Sequence, residues 1–283
     1  MPELPEVEVV RRGLEKNVTG RMVCDVTVLR ERPVRWDGPD AFKAGVVGRT
    51  FAAPRRRGKY LWFPFSDGDA MLAHLGMSGQ FRIDAPGADL APNTRVLFDL
   101  DDGRQLRFVD QRMFGGLQLA PQGAQLPAQV SHIALDPFDE YFNIEQAIER
   151  IRAKRSTIKR AILDQSVISG IGNIYADECL WRAKTHYDHP TQRLTAARAR
   201  RVLVAAKEVM TESLAQGGTS FDELYVDVNG SSGYFSRSLN VYGQEGKPCA
   251  RCGTQIRRDS FMNRSSYLCP KCQRLPRPIH GDK

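Results

Sequence analysis

The amino-acid sequence predicts a multi-domain α+β protein with three parts in chain order. Short apolar runs punctuated by Gly, Pro and Asp occupy residues 22 to 120, helical runs follow Asp136-Pro137, and four cysteines lie between Cys249 and Cys272. Many short strands at regular spacing are typical of a sandwich or barrel, and the change from strand runs to helix runs marks a second domain. A chain of 283 residues is long enough for two or three domains.

The first six residues, Met1-Pro2-Glu3-Leu4-Pro5-Glu6, predict a helix start and also a reactive group. Proline favours the first helical turn, acids suit a helix N-terminus, and apolar residues follow at helical spacing. Once Met1 is removed, Pro2 exposes a secondary amine with a pKa of about 8, which can attack an electrophilic carbon. Glu3 is then a candidate proton donor or acceptor. On these residues alone, an ordinary helix start and a nucleophile both stay open.

Seven runs after this helix have the length and composition of β-strands. They cover residues 22–29, 46–52, 59–65, 70–75, 95–100, 105–109 and 116–119. The basic run Arg55-Arg56-Arg57-Gly58-Lys59 leads directly into the third of them, and we expect Lys59 to face inward.

Four helices are predicted in the second part of the chain, at residues 144–152, 156–163, 174–181 and 196–214. The segment Ser169-Gly170-Ile171-Gly172-Asn173-Ile174-Tyr175 opens the third helix with a glycine-rich turn that suits a phosphate, although Asn173 is also a plausible N-cap. Nearby cations at Lys154, Arg155 and Lys159 strengthen the phosphate interpretation, while a solvated helix face is the simpler one. Glycine-containing stretches at 216–218 and 229–233 predict a loop.

The four C-terminal cysteines have the spacing of a four-thiolate zinc site. Cys249-x2-Cys252 and Cys269-x2-Cys272 are separated by sixteen residues. Disulfides are the alternative, but a reducing cytosol disfavours them. All four positions would be filled by protein, so the zinc is expected to be structural, and residues 255–267 between the pairs predict a hairpin with a basic tip. Cys24 and Cys179 are predicted to be buried packing residues.

Charge distribution points to a partner that carries phosphates. The net charge is +8, and nine Lys or Arg against two Asp between Lys247 and Lys283 account for most of it. No apolar run is long enough to span a bilayer, and the N-terminus lacks the basic and apolar regions of a signal peptide. We therefore expect a cytoplasmic protein rather than a membrane or secreted one.

Taken together, these residues resemble the bacterial formamidopyrimidine-DNA glycosylase family, bifunctional base-excision enzymes that remove oxidised purines. The resemblance runs from end to end of the chain. Its motifs are Pro2-Glu3-Leu4-Pro5-Glu6-Val7-Glu8, Arg57-Gly58-Lys59-Tyr60-Leu61, His74-Leu75-Gly76-Met77-Ser78-Gly79, Asp110-Gln111-Arg112-Met113-Phe114-Gly115, Gly170-Ile171-Gly172-Asn173-Ile174-Tyr175-Ala176, and the four-cysteine finger with Arg264.

The resemblance implies a β-sandwich with an N-terminal helix (1–131), a helix-two-turn-helix domain (132–225), and a lesion-capping loop with a zinc finger (226–283). In that family Pro2 is the nucleophile on C1′ of the damaged nucleotide, Glu3 the proton donor, and Glu6 a supporting residue. Lys59 is implicated in β-elimination, and Arg264 in δ-elimination and phosphate binding.

The resemblance also implies a set of DNA contacts. Lys154, Arg155, Lys159, Asn173, His74 and Asn93 are expected at the DNA, Met77, Arg112 and Phe114 are expected to fill the gap left by the extruded nucleotide, and the loop Val228 to Tyr234 is expected to cap the lesion. Two positions depart from the family pattern, which often has His at Asn93 and a basic residue at Met113. Asn still hydrogen-bonds a phosphate, but Met supplies no charge.

The expected partner is duplex DNA with oxidised purines or abasic sites, bound by a monomer that is nucleoid-associated when it acts, with one structural zinc ion. The sister endonuclease VIII group, which prefers oxidised pyrimidines, is the nearest alternative enzyme. A zinc-finger DNA-binding protein without catalysis is the alternative from a different class. A covalent borohydride-trapped adduct with abasic DNA separates an enzyme from a binding module.

Overall fold

The computed structural model describes residues 2–218 and 238–276. The chain forms two compact units, one of Met1–His132 with Ser213–Ser236 and one of Ile133–Glu212 with Arg237–Lys283. The predicted limits of three domains divide the chain differently and stay a prediction. None of the helices within 2–218 and 238–276 has the length and apolar character needed to cross a bilayer.

Helix α1 (Leu4–Val18) starts the first unit, as predicted. Its apolar positions at helical spacing, among them Val7, Val10 and Leu14, are buried in the core of the unit. The helix packs against the sandwich, so the first residues of the chain are held there by burial of this apolar face.

Two antiparallel sheets of four strands form the sandwich. One sheet has the order β1-β6-β7-β5, with β1 Val23–Val28, β5 Gly79–Asp84, β6 Thr94–Leu100 and β7 Gln105–Asp110. The other has the order β2-β3-β4-β8, with β2 Arg55–Arg57, β3 Tyr60–Pro64, β4 Ala70–His74 and β8 Gly116–Ala120. Phe63 and Phe81, one from each sheet, meet edge to face with ring centroids 5.3 Å apart.

Strand pairing brings two connecting loops to the same edge of the sandwich. His74 pairs with Gly116 in one sheet, and Gly79 pairs with Asp110 in the other. The loop 75–78 joins β4 to β5, and the loop 111–115 joins β7 to β8. Both loops therefore connect the two sheets at the same edge, side by side. The predicted fillers Met77, Arg112 and Phe114 lie on these two loops.

Two predictions for the first unit are wrong. Residues 46–52 form no strand, because they follow helix α2 (Pro39–Ala44) directly and contain a turn at Gly48. Only isolated bridges at Thr50 and Phe51 pair with neighbours. Cys24 is exposed rather than buried, since an irregularity in the register of β1 between Val23 and Asp25 lets Val23 and Val26 both face the core.

The second unit begins with four helices. These are α3 (Ile144–Ala153), α4 (Ile158–Leu163), α5 (Asn173–Arg182) and α6 (Ala196–Ala215), the last lying in this unit up to Glu212. They agree with the predicted helices to within two residues at each end, and Cys179 is buried in α5 as expected. The predicted hairpin follows as β9 (Arg257–Phe261) and β10 (Arg264–Leu268).

Candidate functional site

The start of α1 holds Pro2, Glu3 and Glu6 in a buried environment. Pro2 is buried, and both glutamates are only 3% exposed. The Glu3 backbone N–H donates to Glu6 Oε2 at 2.8 Å, which fixes the Glu6 carboxylate beside the N-terminal residues. Gly218 of the same unit lies against Glu6, with the site of an added Cβ 3.3 Å from Glu6 Oε1.

Glu8 ties this helix start to the basic strand β2. Its carboxylate accepts from Arg56 Nε at 3.0 Å and from Arg11 Nε at 3.1 Å. Burial of Glu8 acts to raise its pKa, but the Arg11 hydrogen bond and the Arg56 and Arg11 charges outweigh it and lower the pKa to about 2. Glu8 is therefore charged at neutral pH and links α1 to the strand that leads to Lys59.

Lys59 lies in the two-residue turn between β2 and β3. Arg57 pairs with Tyr60 across this turn, and Gly58 has a φ of +57°, which the first central residue of a type II′ hairpin turn requires. Lys59 is only 8% exposed, which confirms the expectation that it faces inward.

His74, at the end of β4, is a neighbour of Lys59. Its ring packs against the Tyr60 ring at a tilt of 33°, with centroids 4.7 Å apart. Burial, followed by the charges of Lys59 and Arg35, lowers the pKa of His74 to about 4. The imidazole is thus neutral at physiological pH, so it can hydrogen-bond a phosphate without adding a charge.

The three predicted gap fillers lie together at the sandwich edge. Met77 is 38% exposed and Phe114 is 47% exposed, and the Arg112 guanidinium lies 5.2 Å from the centre of the Phe114 ring. The two loops touch through their backbones, because a Cβ on Gly76 would come within 2.4 Å of Gly115 N. Large side chains left exposed on adjacent loops are typical of a contact surface.

The two positions that depart from the family pattern also lie at this edge. Asn93 has a φ of +66°, and its Oδ1 accepts from Arg95 Nη2 at 2.9 Å. Met113 also has a positive φ, and its carbonyl accepts from Arg32 Nε at 3.0 Å. Arg32 was not predicted from the sequence, and its guanidinium lies against the Met113 backbone.

In the second unit, Asn173 is the first residue of α5, and Gly172 rather than Asn173 is the N-cap. The Asn173 side-chain amide donates to the Ser265 carbonyl at 3.0 Å, so Asn173 is tied to the hairpin that bears Arg264. Arg155 and Arg264 are exposed, whereas Lys154 is half-buried and pairs with Asp164 at 2.7 Å.

Lys159 is the predicted DNA contact that the structure contradicts. Its side chain has no exposed area, and its ammonium lies 2.7 Å from Asp177 Oδ1 and 3.2 Å from the Ser265 carbonyl. Asp177 also accepts from Ser266 Oγ and from the Tyr267 N–H, each at 2.9 Å. A buried, paired ammonium cannot reach a phosphate, so Lys159 and Asp177 instead fasten the hairpin to α4 and α5.

We expect Lys159→Met to lower the free energy of unfolding by about 3–5 kcal/mol, because it leaves the buried Asp177 carboxylate without its cation. Lys154→Met is the matched control, since Lys154 makes an ion pair of the same 2.7 Å length at the surface. Its cost should stay below about 1 kcal/mol. Urea unfolding followed by circular dichroism compares the two variants, and equal losses would contradict this role for Lys159.

The four predicted cysteine ligands converge on one point. Their sulfurs all lie within 4.8 Å of one another, and the Cys252 and Cys269 sulfurs are 3.5 Å apart. Tetrahedral zinc with Zn–S bonds of about 2.3 Å needs sulfur separations of about 3.8 Å, whereas a disulfide needs about 2.05 Å. The arrangement fits a metal site and does not fit disulfides.

Two further residues of α5, both missed from the sequence, bind the cysteine-rich module to the helices. The buried Glu178 carboxylate accepts from the backbone N–H groups of Asn240, Val241 and Tyr242. The indole N–H of Trp181 donates to Cys249 Sγ at 3.4 Å, the kind of hydrogen bond that supports a metal-bound thiolate. The adjacent acids Asp177 and Glu178, in an otherwise apolar helical run, were the sequence signal that could have indicated Glu178.

The structure thus groups most of the predicted residues into separate clusters. One unit holds the α1 start, the Lys59–His74 pair, and the edge with Asn93, Met77, Arg112 and Phe114. The other holds Asn173, Arg155, Arg264 and the four cysteines. The predicted capping loop, Val228 to Tyr234, lies outside the described residues.

Three family models match the chain in order. They describe the formamidopyrimidine-DNA glycosylase N-terminal domain at residues 1–117, the formamidopyrimidine-DNA glycosylase H2TH domain at 133–223, and a zinc finger found in FPG and IleRS at 246–275.

Relatives of known name and structure match nearly the whole chain. Formamidopyrimidine-DNA glycosylase of Nocardioides sp. is 57% identical over 98% of this chain and 96% of its own length. Among solved structures, wild-type Lactococcus lactis Fpg (MutM) with N7-benzyl-Fapy-dG DNA is 32% identical, with a TM-score of 0.88 over 96% of this chain and 100% of that chain. Lactococcus lactis Fpg with abasic-site DNA is 31% identical, with a TM-score of 0.85 over 96% and 99%.

The three family models cover both units and leave out residues 118–132, 224–245 and 276–283. They also agree with the geometry above, in which the N-terminal motif, the sandwich edge and the four-cysteine site are all present. By these matches and this fold, the chain belongs to the formamidopyrimidine-DNA glycosylase family.

Proposed function

We propose that this chain is a bifunctional DNA glycosylase and AP lyase that removes oxidised purines, 8-oxoguanine and formamidopyrimidines, from duplex DNA. The observation that carries the proposal is the start of α1, where Pro2 precedes two buried carboxylates and Glu6 is fixed on the Glu3 N–H. The names of the relatives support the glycosylase, and the Lactococcus lactis complex with abasic-site DNA is consistent with a lyase.

In the first step the Pro2 nitrogen bonds to C1′ of the damaged nucleotide and the bond from C1′ to the base breaks. The base leaves with the bonding electrons and receives a proton, for which Glu3 is the donor. The Pro2 nitrogen then gives up its proton, the C1′–O4′ bond breaks and O4′ becomes a hydroxyl, which opens the sugar. The product is an iminium at C1′, which keeps its positive charge without a proton and accepts electrons in the next steps. Glu3 is buried and directly follows Pro2, which supports its assignment as the proton donor.

Elimination then cuts the strand on both sides of the sugar. Loss of the C2′ proton to a base expels the 3′ phosphate, and Lys59, buried beside the neutral His74, is the residue we assign to this β-elimination. A further proton loss expels the 5′ phosphate in δ-elimination, to which we assign Arg264 at the exposed start of β10. The guanidinium of Arg264 suits a leaving phosphate because it donates two parallel hydrogen bonds.

The cysteine site is proposed to hold one structural zinc ion through Cys249, Cys252, Cys269 and Cys272. Zinc would supply folding free energy to the module and leaves no open position for a reacting group. The β9–β10 hairpin that carries Arg264 lies between the two cysteine pairs, so its position depends on this site. We expect the enzyme to act as a monomer in the cytoplasm, at the nucleoid.

A single-turnover assay on a duplex with one 8-oxoguanine opposite cytosine tests the proposal. We expect strand cleavage that leaves phosphate on both new ends, and a covalent adduct when borohydride is added to abasic DNA. A second duplex of the same sequence, with an oxidised pyrimidine in place of 8-oxoguanine, tests the endonuclease VIII alternative. Faster cleavage of the pyrimidine duplex would favour that alternative. A folded protein that binds DNA and forms no adduct would show a binding module instead.

A further inference from the structure

Asp110 is a buried carboxylate at the junction of the two loops that carry Met77, Arg112 and Phe114. It is the last residue of β7, pairs with Gly79 at the start of β5, and has no exposed area. A buried carboxylate is costly unless its oxygens are hydrogen-bonded, so its partners show what it stabilises.

The two oxygens of Asp110 bind different loops. Oδ1 accepts from the Ser78 hydroxyl at 2.5 Å, and Oδ2 accepts from the Gly115 N–H at 2.8 Å. Ser78 extends the network, because its Oγ accepts from the Arg112 N–H at 2.9 Å. One carboxylate thus holds the loop 75–78 and both ends of the segment from Arg112 to Gly115.

The side chains on these loops point away from the network while their backbones are held by it. Met77 and Phe114 are 38% and 47% exposed, whereas Ser78 is only 5% exposed. Gly76 packs directly against Gly115, so the backbones of the two loops are in contact. Surface loops are ordinarily mobile, so groups that must enter a base stack together gain from being fixed beforehand.

We propose that Asp110 is a positioning residue for nucleotide extrusion, holding Met77, Arg112 and Phe114 as one preset group that enters the duplex. The proposal rests on the proposed function, since it concerns how that reaction reaches its target base. Extrusion costs stacking and pairing energy, and the three side chains compensate only if they occupy the gap as it opens. Cleavage at a preformed abasic site lacks a base to extrude and depends less on them.

Asp110→Asn is the decisive substitution, because the shape is kept while one acceptor oxygen becomes an NH2 group that cannot accept from Ser78 or Gly115. We expect excision of 8-oxoguanine from duplex DNA to fall about tenfold or more, and cleavage of a preformed abasic site to fall less than about threefold. A 2-aminopurine beside the lesion gives a second readout, since its fluorescence should rise more slowly in the variant.

Asp84→Asn is the matched control. Asp84 is at the other end of β5, pairs with Arg107 at 3.2 Å and has a side chain only 13% exposed, so the same change is made in the same sandwich away from the loops. We expect it to leave the ratio of the two rates unchanged. Phe114→Ala gives the size of the ratio change when a filler itself is lost.

The outcomes distinguish failure of the positioning role from failure of the proposed function. Failure of the unaltered protein to excise any lesion would remove the proposed function. The positioning role alone would be overturned if Phe114→Ala selectively slowed excision of 8-oxoguanine while Asp110→Asn slowed cleavage of the 8-oxoguanine and abasic substrates equally. Should thermal melting show that Asp110→Asn does not fold, Ser78→Ala removes the Ser78 bond to Asp110 and the link to Arg112 but keeps the carboxylate and its bond to Gly115. An unchanged rate ratio in that variant would also overturn the positioning role.

Discussion

A chain that carries one extra residue before Pro2 is expected to fold and to bind DNA, yet to form no borohydride-trapped adduct. The added peptide bond turns the Pro2 amine into an amide, whose nitrogen lone pair is delocalised and cannot attack C1′. Base excision and strand cleavage should fall to background together, because both proceed through the same covalent intermediate.

The structure explains why folding should survive this extension. Helix α1 is held by its own buried face and by the Glu8 ion pairs with Arg11 and Arg56, none of which uses the terminal amine. Circular dichroism and thermal melting should therefore match the processed protein, with intact mass reporting whether Met1 has been removed. The matched control adds the same residue at the C-terminus and should be fully active. Equal trapping by both extended proteins would remove Pro2 from the role of nucleophile.

The same amine predicts a rise of trapping with pH. A free α-amino group titrates at about 8, so the unprotonated fraction grows between roughly pH 7 and 9. The neutral state of His74, whose pKa is lowered to about 4, does not change over that range. A trapping rate that rises with the deprotonated amine thus reports Pro2 rather than His74.

Removal of the metal is expected to abolish specific DNA binding while the sandwich keeps its fold. The cysteine module has a small buried cluster, in which Trp181, Val241 and Ile256 surround two of the cysteines, and that is too little apolar burial to keep the module folded. The bonds from Lys159 and Asp177 to the hairpin do not replace this missing core. Structural zinc supplies about 10–16 kcal/mol in small fingers, so Cys269→Ser should lower zinc content and duplex affinity together. Arg264 would lose its position with the hairpin.

We would measure zinc content by dye release, and duplex affinity at several salt concentrations. If roughly 6 to 10 phosphates are contacted, affinity of the intact protein should fall about 10³- to 10⁵-fold between roughly 50 and 200 mM salt, with a shallower dependence in Cys269→Ser. Cys24→Ser is the matched control, because Cys24 is an exposed cysteine that is not one of the four clustered cysteines. A metal-free Cys269→Ser protein with normal affinity would contradict the prediction.

Local patterns carried the predictions that succeeded. The helical spacing of Val7, Val10 and Leu14, the paired Cys-x2-Cys units and the basic tip between them are all set within a few residues of chain. Local periodicity and ligand spacing depend little on distant contacts, so α1, the later helices and the metal site could be predicted.

Where burial depended on a distant partner, local patterns misled. Residues 46–52 are apolar enough for a strand, but burial of Val46 and Phe51 is achieved in a turn with isolated bridges. Lys159 belongs to a cationic run that suggests a surface, yet its counter-ion Asp177 lies on the next helix and removes it from solvent. Neither outcome is encoded in the neighbouring residues.

The sequence by itself determined the identity of the N-terminal motif, the order of the three parts and the four ligands of the metal site. Tertiary structure decided that Asp110, at the end of one strand, binds both loops that carry Met77 and Phe114. The reason is physical: strand register joins His74 to Gly116 and Gly79 to Asp110, residues more than thirty positions apart, and such pairings depend on the packed sheets rather than on local sequence.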